Sequence, residues 1–161
     1  MARKTLVVFD IDGTVAKIPE GPVVGDIFGE DRVSGMAPIP NMVKVVKQYL
    51  AERGVEILFC TGRPKVIFGA TWRWLNRHLG LARSGKRVAL TCRPPEVPME
   101  RIAVYKLGAI MQAIRRLGGK PEVLIFDDDI ANLRMFETLR PSVSSLRLFK
   151  VEDGVFSQWS L

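Results

Sequence analysis

Short apolar runs alternate with longer stretches of helical periodicity along this 161-residue chain. The short runs predict strands at residues 5–9, 55–60, 88–91, 122–126 and 144–149. Apolar side chains recur every three to four positions between them, which predicts helices at residues 42–50, 65–79, 103–117 and 130–139. Strands that alternate with helices are typical of a mainly parallel sheet covered on both faces. We therefore predict a Rossmann-like, doubly wound α/β fold.

The breaks between these elements favour a single domain over residues 1–161. Asn41 is the predicted N-cap of the first helix, and Gly54 and Gly80 follow the first two helices. Residues 15–40 are rich in Gly and Pro and predict a loop, in which the apolar patch at residues 23–28 can form a hairpin. No linker, repeat or low-complexity stretch divides the chain.

The composition, with 47% apolar and 25% charged residues, is that of an ordinary globular domain. The longest apolar runs are only strand-length, so neither a membrane helix nor a signal peptide is expected. Cys60 and Cys92 are the only cysteines and have no companions at zinc spacing. We therefore expect a protein of the reducing cytoplasm.

Polar residues follow three of the predicted strands directly, at the end where open α/β sheets bind ligands. Asp10 and Asp12 follow the first strand, Thr61-Gly62-Arg63 the second and Asp127-Asp128-Asp129 the fourth. One acid of the first pair can face a substrate while the other gives or takes a proton. Several ionised carboxylates crowd together only around a cation, and an all-oxygen set suits Mg²⁺.

A phosphoryl group fits the remaining polar residues. Thr61 can donate its hydroxyl, Gly62 can expose its backbone N–H, and Lys106 can supply a positive charge. Taken alone, each of these motifs can be explained without a functional role. Asp-Gly is a common turn, the Asp triplet can be a solvated helix N-terminus, and an isolated Lys is usually on the surface. Three polar sets at three strand ends favour the functional interpretation.

These residues resemble the four ordered motifs of the haloacid dehalogenase superfamily of phosphohydrolases. The motif residues are the segment 9–14, Thr61-Gly62-Arg63, Lys106, and the segment 126–129 with Asn132. The resemblance implies that Asp10 attacks phosphorus to form an aspartyl-phosphate and that Asp12 acts as acid and then as base. It also implies that Thr61 and Lys106 bind the phosphoryl group. Mg²⁺ would be held by Asp10, the backbone carbonyl of Asp12, and Asp128, with Asp127 as a further contributor.

Finer features are similar to the 3′-phosphatase domain of phage-type polynucleotide kinase-phosphatases. They are Ala16-Lys17, Thr61-Gly62-Arg63-Pro64, the 71–75 helix segment and Cys92-Arg93-Pro94. The resemblance implies substrate-binding roles for Gly62, Arg63 and Arg93. Two positions depart from that pattern, Ile102 in place of an Asp and Asp129 in place of an Arg. Because no insert of the chain is large enough for a cap domain, the site should be open.

The net charge of +7 arises mostly between Arg63 and Lys106, a segment that contains ten Lys or Arg and two acids. A concentrated basic excess favours a polyanionic partner, although a solvated face is the plain alternative. A phosphatase of nucleic-acid ends, removing 3′-phosphate, is the leading hypothesis. A phosphatase of free nucleotides or other small phosphomonoesters is the alternative. A nucleic-acid-binding module with a vestigial site is a third interpretation.

Overall fold

The computed structural model describes residues 3–22, 25–85 and 87–161. Val23 and Val24 of the predicted apolar patch, and Lys86 of the basic segment, lie outside these ranges. The strands are β1 (Thr5–Phe9), β2 (Val55–Pro64), β3 (Val88–Arg93), β4 (Glu122–Asp127), β5 (Ser145–Glu152) and β6 (Val155–Trp159). The α-helices are α1 (Glu30–Ser34), α2 (Pro40–Ala51), α3 (Phe68–Leu79), α4 (Ile102–Leu117) and α5 (Ile130–Phe136).

The six strands form one sheet in the order β3-β2-β1-β4-β5-β6. The first five are parallel, and β6 runs antiparallel to β5 at the edge. Phe9 at the end of β1 is aligned with Phe59 of β2 and with Phe126 of β4. This register brings the carboxyl ends of three neighbouring strands to one edge, where the predicted site residues begin.

Alternate residues of β1 pack into two separate apolar cores, as the two-residue period of a buried strand requires. Val7 and Phe9 lie in a core with side chains of α2 and α3, among them Val46, Trp74 and Leu75. Leu6 and Val8 lie in the other, with side chains of α4 and α5, among them Ile110, Ile114 and Leu133. The protein is therefore an α/β protein with a six-stranded, mostly parallel sheet.

Several predicted element boundaries are wrong, for local reasons. Helix α2 begins at Pro40 with Ile39 as its N-cap and no side-chain cap, so Asn41 is not the cap. Proline suits the first helical position because its missing N–H would lack a partner there anyway. Strand β2 continues through Thr61 to Pro64 because β3 pairs with it across a register shift. Helix α5 ends at Phe136 and is followed by a 3₁₀ segment that contains Pro141.

Two elements were not predicted at all. The segment 15–40 contains the short helix α1, and a bridge between Ala16 and Pro38 joins the two ends of the segment. Strand β6 is not predicted because four of its five residues are exposed. Its sequence therefore lacks the alternation of apolar and polar residues that indicates a half-buried strand. The turn between β5 and β6 lines a cavity at the carboxyl end of the sheet.

Within the described ranges, no helix is both long and apolar enough to span a membrane.

Candidate active site

Three carboxylates meet at the carboxyl end of the sheet. Asp10 follows β1, Asp127 ends β4 and Asp128 comes directly after it. Asp10 and Asp127 are buried and Asp128 is half-buried, and one oxygen from each lies within 4.8 Å of the others. The aligned register of β1 and β4 makes this meeting unavoidable, because equivalent residues beyond the two strands must be neighbours. We refer to these three residues together with Lys106 as the carboxylate cluster.

Lys106 reaches the cluster from α4 and is only 3% exposed. Its Nζ donates to Asp10 Oδ1 at 2.7 Å and to Asp127 Oδ2 at 2.9 Å. Burial lowers the pKa of Lys106, but the charges of Asp10 and Asp127 outweigh it and hold the pKa above its usual value. Lys106 is therefore a fixed ammonium group.

Negative charge exceeds positive charge in the cluster. Burial raises the pKa of Asp10 well above its usual value, and Asp127 and Asp128 raise it further against the opposing charge of Lys106. Burial also raises the pKa of Asp128. One ammonium group cannot balance three carboxylates, so the site is electrostatically suited to a cation.

Asp127 is the most fully engaged of the three acids. Besides the bond from Lys106, its Oδ1 accepts from the Asp129 N–H at 2.9 Å, and both oxygens accept from Asn132 Nδ2 at 3.1 Å. Its lone pairs are thus largely used in accepting from Lys106, Asn132 and the Asp129 N–H. Asp10 and Asp128 retain more freedom to bind a metal.

The loop after β1 leaves room for Asp128 because residue 13 is glycine. Gly13 has φ +83°, and a Cβ at this position would lie 2.2 Å from Asp128 Oδ2. One residue further on, the buried Thr14 donates its hydroxyl to Asp10 Oδ2 at 3.3 Å. The backbone of this loop therefore shapes the cluster from one side.

Asp12 lies outside the carboxylate cluster and pairs with Arg63. The guanidinium group donates Nη2 to Asp12 Oδ1 at 2.8 Å and Nε to Asp12 Oδ2 at 3.0 Å. Arg63 is fully buried, and its Nη1 donates to Thr71 Oγ1 at 3.3 Å. The substrate-binding role predicted for Arg63 stays a prediction, since the contacts that it makes hold Asp12 in place. We refer to these two residues as the Asp12–Arg63 pair.

The pair also has a neighbour that the sequence does not reveal. Arg63 Nη2 also approaches Met36 Sδ at 3.3 Å, and the Met36 carbonyl accepts from Trp74 Nε1 at 2.8 Å. Met36 belongs to the predicted loop 15–40 and carries no motif. Only the folded chain brings that loop, α3 and β2 together.

The remaining predicted residues lie at the ends of β2 and β3. Thr61 is fully buried, and its Oγ1 accepts from the Arg63 N–H at 3.1 Å, which leaves its hydroxyl proton available. The Gly62 carbonyl accepts from Arg93 Nε at 3.1 Å, and Arg93 Nη1 donates to the Val97 carbonyl at 2.7 Å. Arg93 thus braces two backbone segments, and its predicted contact with a substrate stays a prediction.

A cavity of about 490 Å³ opens beside the carboxylate cluster. It shares Gly13 and Asp128 with the site. Its other walls come from the segment after β1, from the start of α2, and from the end of β5 with the following turn. These walls are Lys17, Ile18, Glu20, Pro38, Ile39, Pro40, Lys150, Val151, Glu152 and Asp153.

The described cations of the basic segment between Arg63 and Lys106 differ in exposure and in pairing. Arg63 and Lys106 themselves are buried among acids of the site. Two further arginines form ion pairs with acids from elsewhere in the chain, Arg73 with Glu30 at 2.7 Å and Arg87 with Glu56 at 3.4 Å. Exposed cations without an ion pair among the described residues include Lys65, Arg77 and Arg101. The excess of charge in the sequence therefore overstates the exposed positive charge.

No protein-family model matches the chain, and no curated protein matches it significantly. The resemblance to haloacid dehalogenase phosphohydrolases therefore depends on the motif residues and on their arrangement in the fold.

Proposed function

We propose that the protein is a magnesium-dependent phosphomonoester hydrolase that carries the phosphoryl group on Asp10. The arrangement of Asp10 supports this best: a buried carboxylate 2.7 Å from a buried ammonium group, in a cluster with two further acids at the carboxyl end of a parallel sheet. A doubly wound, Rossmann-like arrangement is part of the proposal. It is supported by the strand order and by the two separate cores on alternate residues of β1.

The donor set fits Mg²⁺, which prefers carboxylate and carbonyl oxygens. Asp10 and Asp128 would hold it, together with the backbone carbonyl of Asp12 that the resemblance implies. The space that Gly13 leaves for Asp128 Oδ2 and the excess of acids over Lys106 both support this assignment. When bound, the ion would neutralise charge on the phosphoryl oxygens.

The proposed reaction has two steps. An Asp10 oxygen attacks phosphorus and the ester P–O bond breaks, while the Asp12 carboxyl group gives its proton to the leaving oxygen. Water then attacks the aspartyl-phosphate, Asp12 takes the proton from that water, and the bond between Asp10 and phosphorus breaks to release phosphate. Lys106 and Thr61 stabilise the phosphoryl oxygens, and Arg63 keeps Asp12 in position for both proton transfers.

We propose the 3′-phosphate of a nucleic-acid end as substrate, on the strength of the motif resemblance and the exposed cations that remain. The cavity beside the cluster supports a second candidate, the phosphate of a free nucleotide or another small phosphomonoester, because its volume of about 490 Å³ suits a small ligand. A reducing, cytoplasmic setting is also proposed, since both cysteines are free and buried.

A phosphate-release screen tests the activity. Oligonucleotides with a 3′- or a 5′-phosphate, mononucleotides and a generic aryl phosphate are compared with and without Mg²⁺. We expect Mg²⁺-dependent release that Asp10→Asn abolishes. The matched control is Asp129→Asn, because Asp129 is an exposed helix cap two residues from Asp127. Absence of release from every substrate, combined with salt-dependent binding of the oligonucleotides, would instead support the binding module with a vestigial site.

A further inference from the structure

The cavity beside the carboxylate cluster contains two lysines that the proposed reaction does not use. Lys17 extends from the segment after β1, and Lys150 lies near the end of β5. Neither ammonium group forms an ion pair with a carboxylate of the described residues. Both are therefore available to a ligand in the cavity.

Of the two lysines, Lys150 gives the stronger indication of an anionic ligand, because it is half-buried. Within the described part of the chain, its ammonium group donates only to the Val151 carbonyl at 3.5 Å, the outer limit for a hydrogen bond. A half-buried ammonium group that forms no ion pair has lost part of its hydration, so this position favours an anionic ligand.

The cavity is not a generally basic surface. Besides Asp128 of the cluster, three exposed acids line it, namely Glu20, Glu152 and Asp153. The anionic group of a ligand is therefore favoured only next to the ammonium groups of Lys17 and Lys150. The part of the ligand that faces the acids must be neutral. Ile18, Ile39 and Val151 supply apolar walls for such a neutral part.

The β5–β6 hairpin fixes one wall of the cavity. A Cβ at Gly154, in the turn of the hairpin, would lie 2.9 Å from Ile39 Cγ2, so the turn packs tightly against the start of α2. On the opposite side, Asp128 and Gly13 belong to both the cavity and the cluster. The cavity therefore adjoins the cluster, which gives a leaving group bound there direct access to the proposed reaction.

We propose that Lys17 and Lys150 form a second anion-binding position for the leaving group. This inference depends on the proposed phosphatase function and narrows its substrates. They are phosphomonoesters whose leaving group is the size of one nucleoside and carries a second phosphate or phosphodiester. A free bisphosphorylated nucleoside and the terminal nucleotide of a polynucleotide share this chemistry.

Discrimination between substrates tests the proposal. The ratio of kcat/KM for a nucleoside 3′,5′-bisphosphate to that for the better nucleoside monophosphate is measured on the full chain with Mg²⁺. We expect a preference for the bisphosphate of about tenfold per lysine contact, and Lys17→Met and Lys150→Met should each lower the ratio by about tenfold. The control is Lys120→Met, because Lys120 is exposed near the amino end of β4, far from the site. An unchanged ratio in both lysine variants would overturn the proposal.

The two sources of the second phosphate are separated with oligonucleotides. A 3′-phosphorylated oligonucleotide is compared with one whose last internucleotide linkage is a neutral methylphosphonate. If the polynucleotide end is the source, this replacement should lower kcat/KM as much as the lysine variants do. If only the free bisphosphate responds to the lysine variants, the anion position stands and the substrate is a small molecule.

Binding measurements test the second anion-binding position independently of the proposed phosphatase activity. Calorimetric titration of Asp10→Asn with the bisphosphate should show tighter binding than with the monophosphates, and Lys150→Met should remove the difference. Tighter binding without turnover by the parent protein would support the anion position and contradict the phosphatase. Equal binding of bisphosphate and monophosphates would contradict the anion position, whatever the turnover.

Discussion

The carboxylate cluster and the Asp12–Arg63 pair lie beside each other, yet their charges are organised differently. In the cluster, Lys106 is the one cation that the described part of the chain pairs with the three acids, which lie within 4.8 Å of one another. In the pair, one fully buried guanidinium group serves one half-buried carboxylate. Asp10 and Asp12 are only two residues apart in sequence.

This difference separates two chemical tasks. The cluster has an excess of negative charge that a cation would remove, which suits binding of a metal and of a phosphoryl group. In the pair the charges of Arg63 and ionised Asp12 balance, so the Asp12 carboxylate needs no metal. It takes up a proton before the first step of the proposed reaction and gives that proton to the leaving oxygen. The chain turns directly after Asp12, at residues 13–15, so the two acids reach different surroundings although only two positions separate them.

The largest expected effect comes from removing the charge and nucleophilicity of Asp10 without changing its shape. Asp10→Asn should lower kcat at least about 10⁴-fold, because an amide is a poor nucleophile. Phosphate release in the presence of Mg²⁺ measures the loss, and circular dichroism checks the fold. Beryllium fluoride should bind the parent protein and not this variant. Activity near that of the parent would rule out the covalent mechanism.

Breaking the pair should have a smaller effect than breaking the cluster. Asp12→Asn removes the proton-transfer group and should lower kcat by about 10²- to 10⁴-fold. Arg63→Lys keeps the charge but loses the two-point contact with Asp12, so kcat should fall by about tenfold with little change in KM. Steady-state kinetics separate the two parameters.

Rescue by Mg²⁺ distinguishes a variant of the carboxylate cluster from a variant of the Asp12–Arg63 pair. Higher Mg²⁺ should partly rescue Asp128→Ala and should not rescue Asp12→Asn. The opposite pattern would mean that the roles of Asp12 and Asp128 are reversed. A rise in KM alone for Arg63→Lys would instead favour the substrate-binding role that the sequence predicted for Arg63.

Gly13 offers a way to disturb the cluster through its backbone. Gly13→Ala should raise the Mg²⁺ concentration needed for half-maximal activity by at least about tenfold, because the new Cβ collides with Asp128 Oδ2. Gly80→Ala is the matched control: Gly80 also has a positive φ, +68°, but nothing lies within 4 Å of its Cβ position. It should lose only about 1 kcal/mol of stability. Equal losses of Mg²⁺ affinity in both variants would show that backbone strain alone is responsible.

The smallest effect concerns stability and pH. Since the folded-state pKa of Asp10 is raised, the folded protein holds this proton more tightly than the unfolded chain does. Without metal, stability should therefore fall as pH rises from the usual Asp value of 3.8 through the raised folded-state value. Mg²⁺ binds the ionised form, so the increase in Tm caused by Mg²⁺ should grow over the same range, by a few degrees. Asp10→Asn should flatten both trends, as thermal melts at several pH values would reveal.

The sequence by itself determined the α/β pattern and most of the carboxylate cluster. Short apolar runs predict the strands, and parallel strands in register must present their carboxyl ends at one edge of the sheet. The positions that follow β1 and β4 could therefore be recognised as neighbours from the order and period of the strands. Lys106 was recognisable only through its motif, because nothing in the periodicity of α4 distinguishes a buried lysine from a solvated one.

The tertiary structure alone decided the partners of the long side chains. Arg63 meets Asp12 across 51 positions of sequence and Met36 across 27, distances at which no local pattern carries information. The partners of Arg73 and Arg87 are hidden from the sequence for the same reason, since the acids that pair with them lie outside the basic segment. Strand β6 was missed because an exposed edge strand has no core-facing period. The β5–β6 hairpin nevertheless forms the wall of the cavity that includes Lys150, because its turn packs against the start of α2.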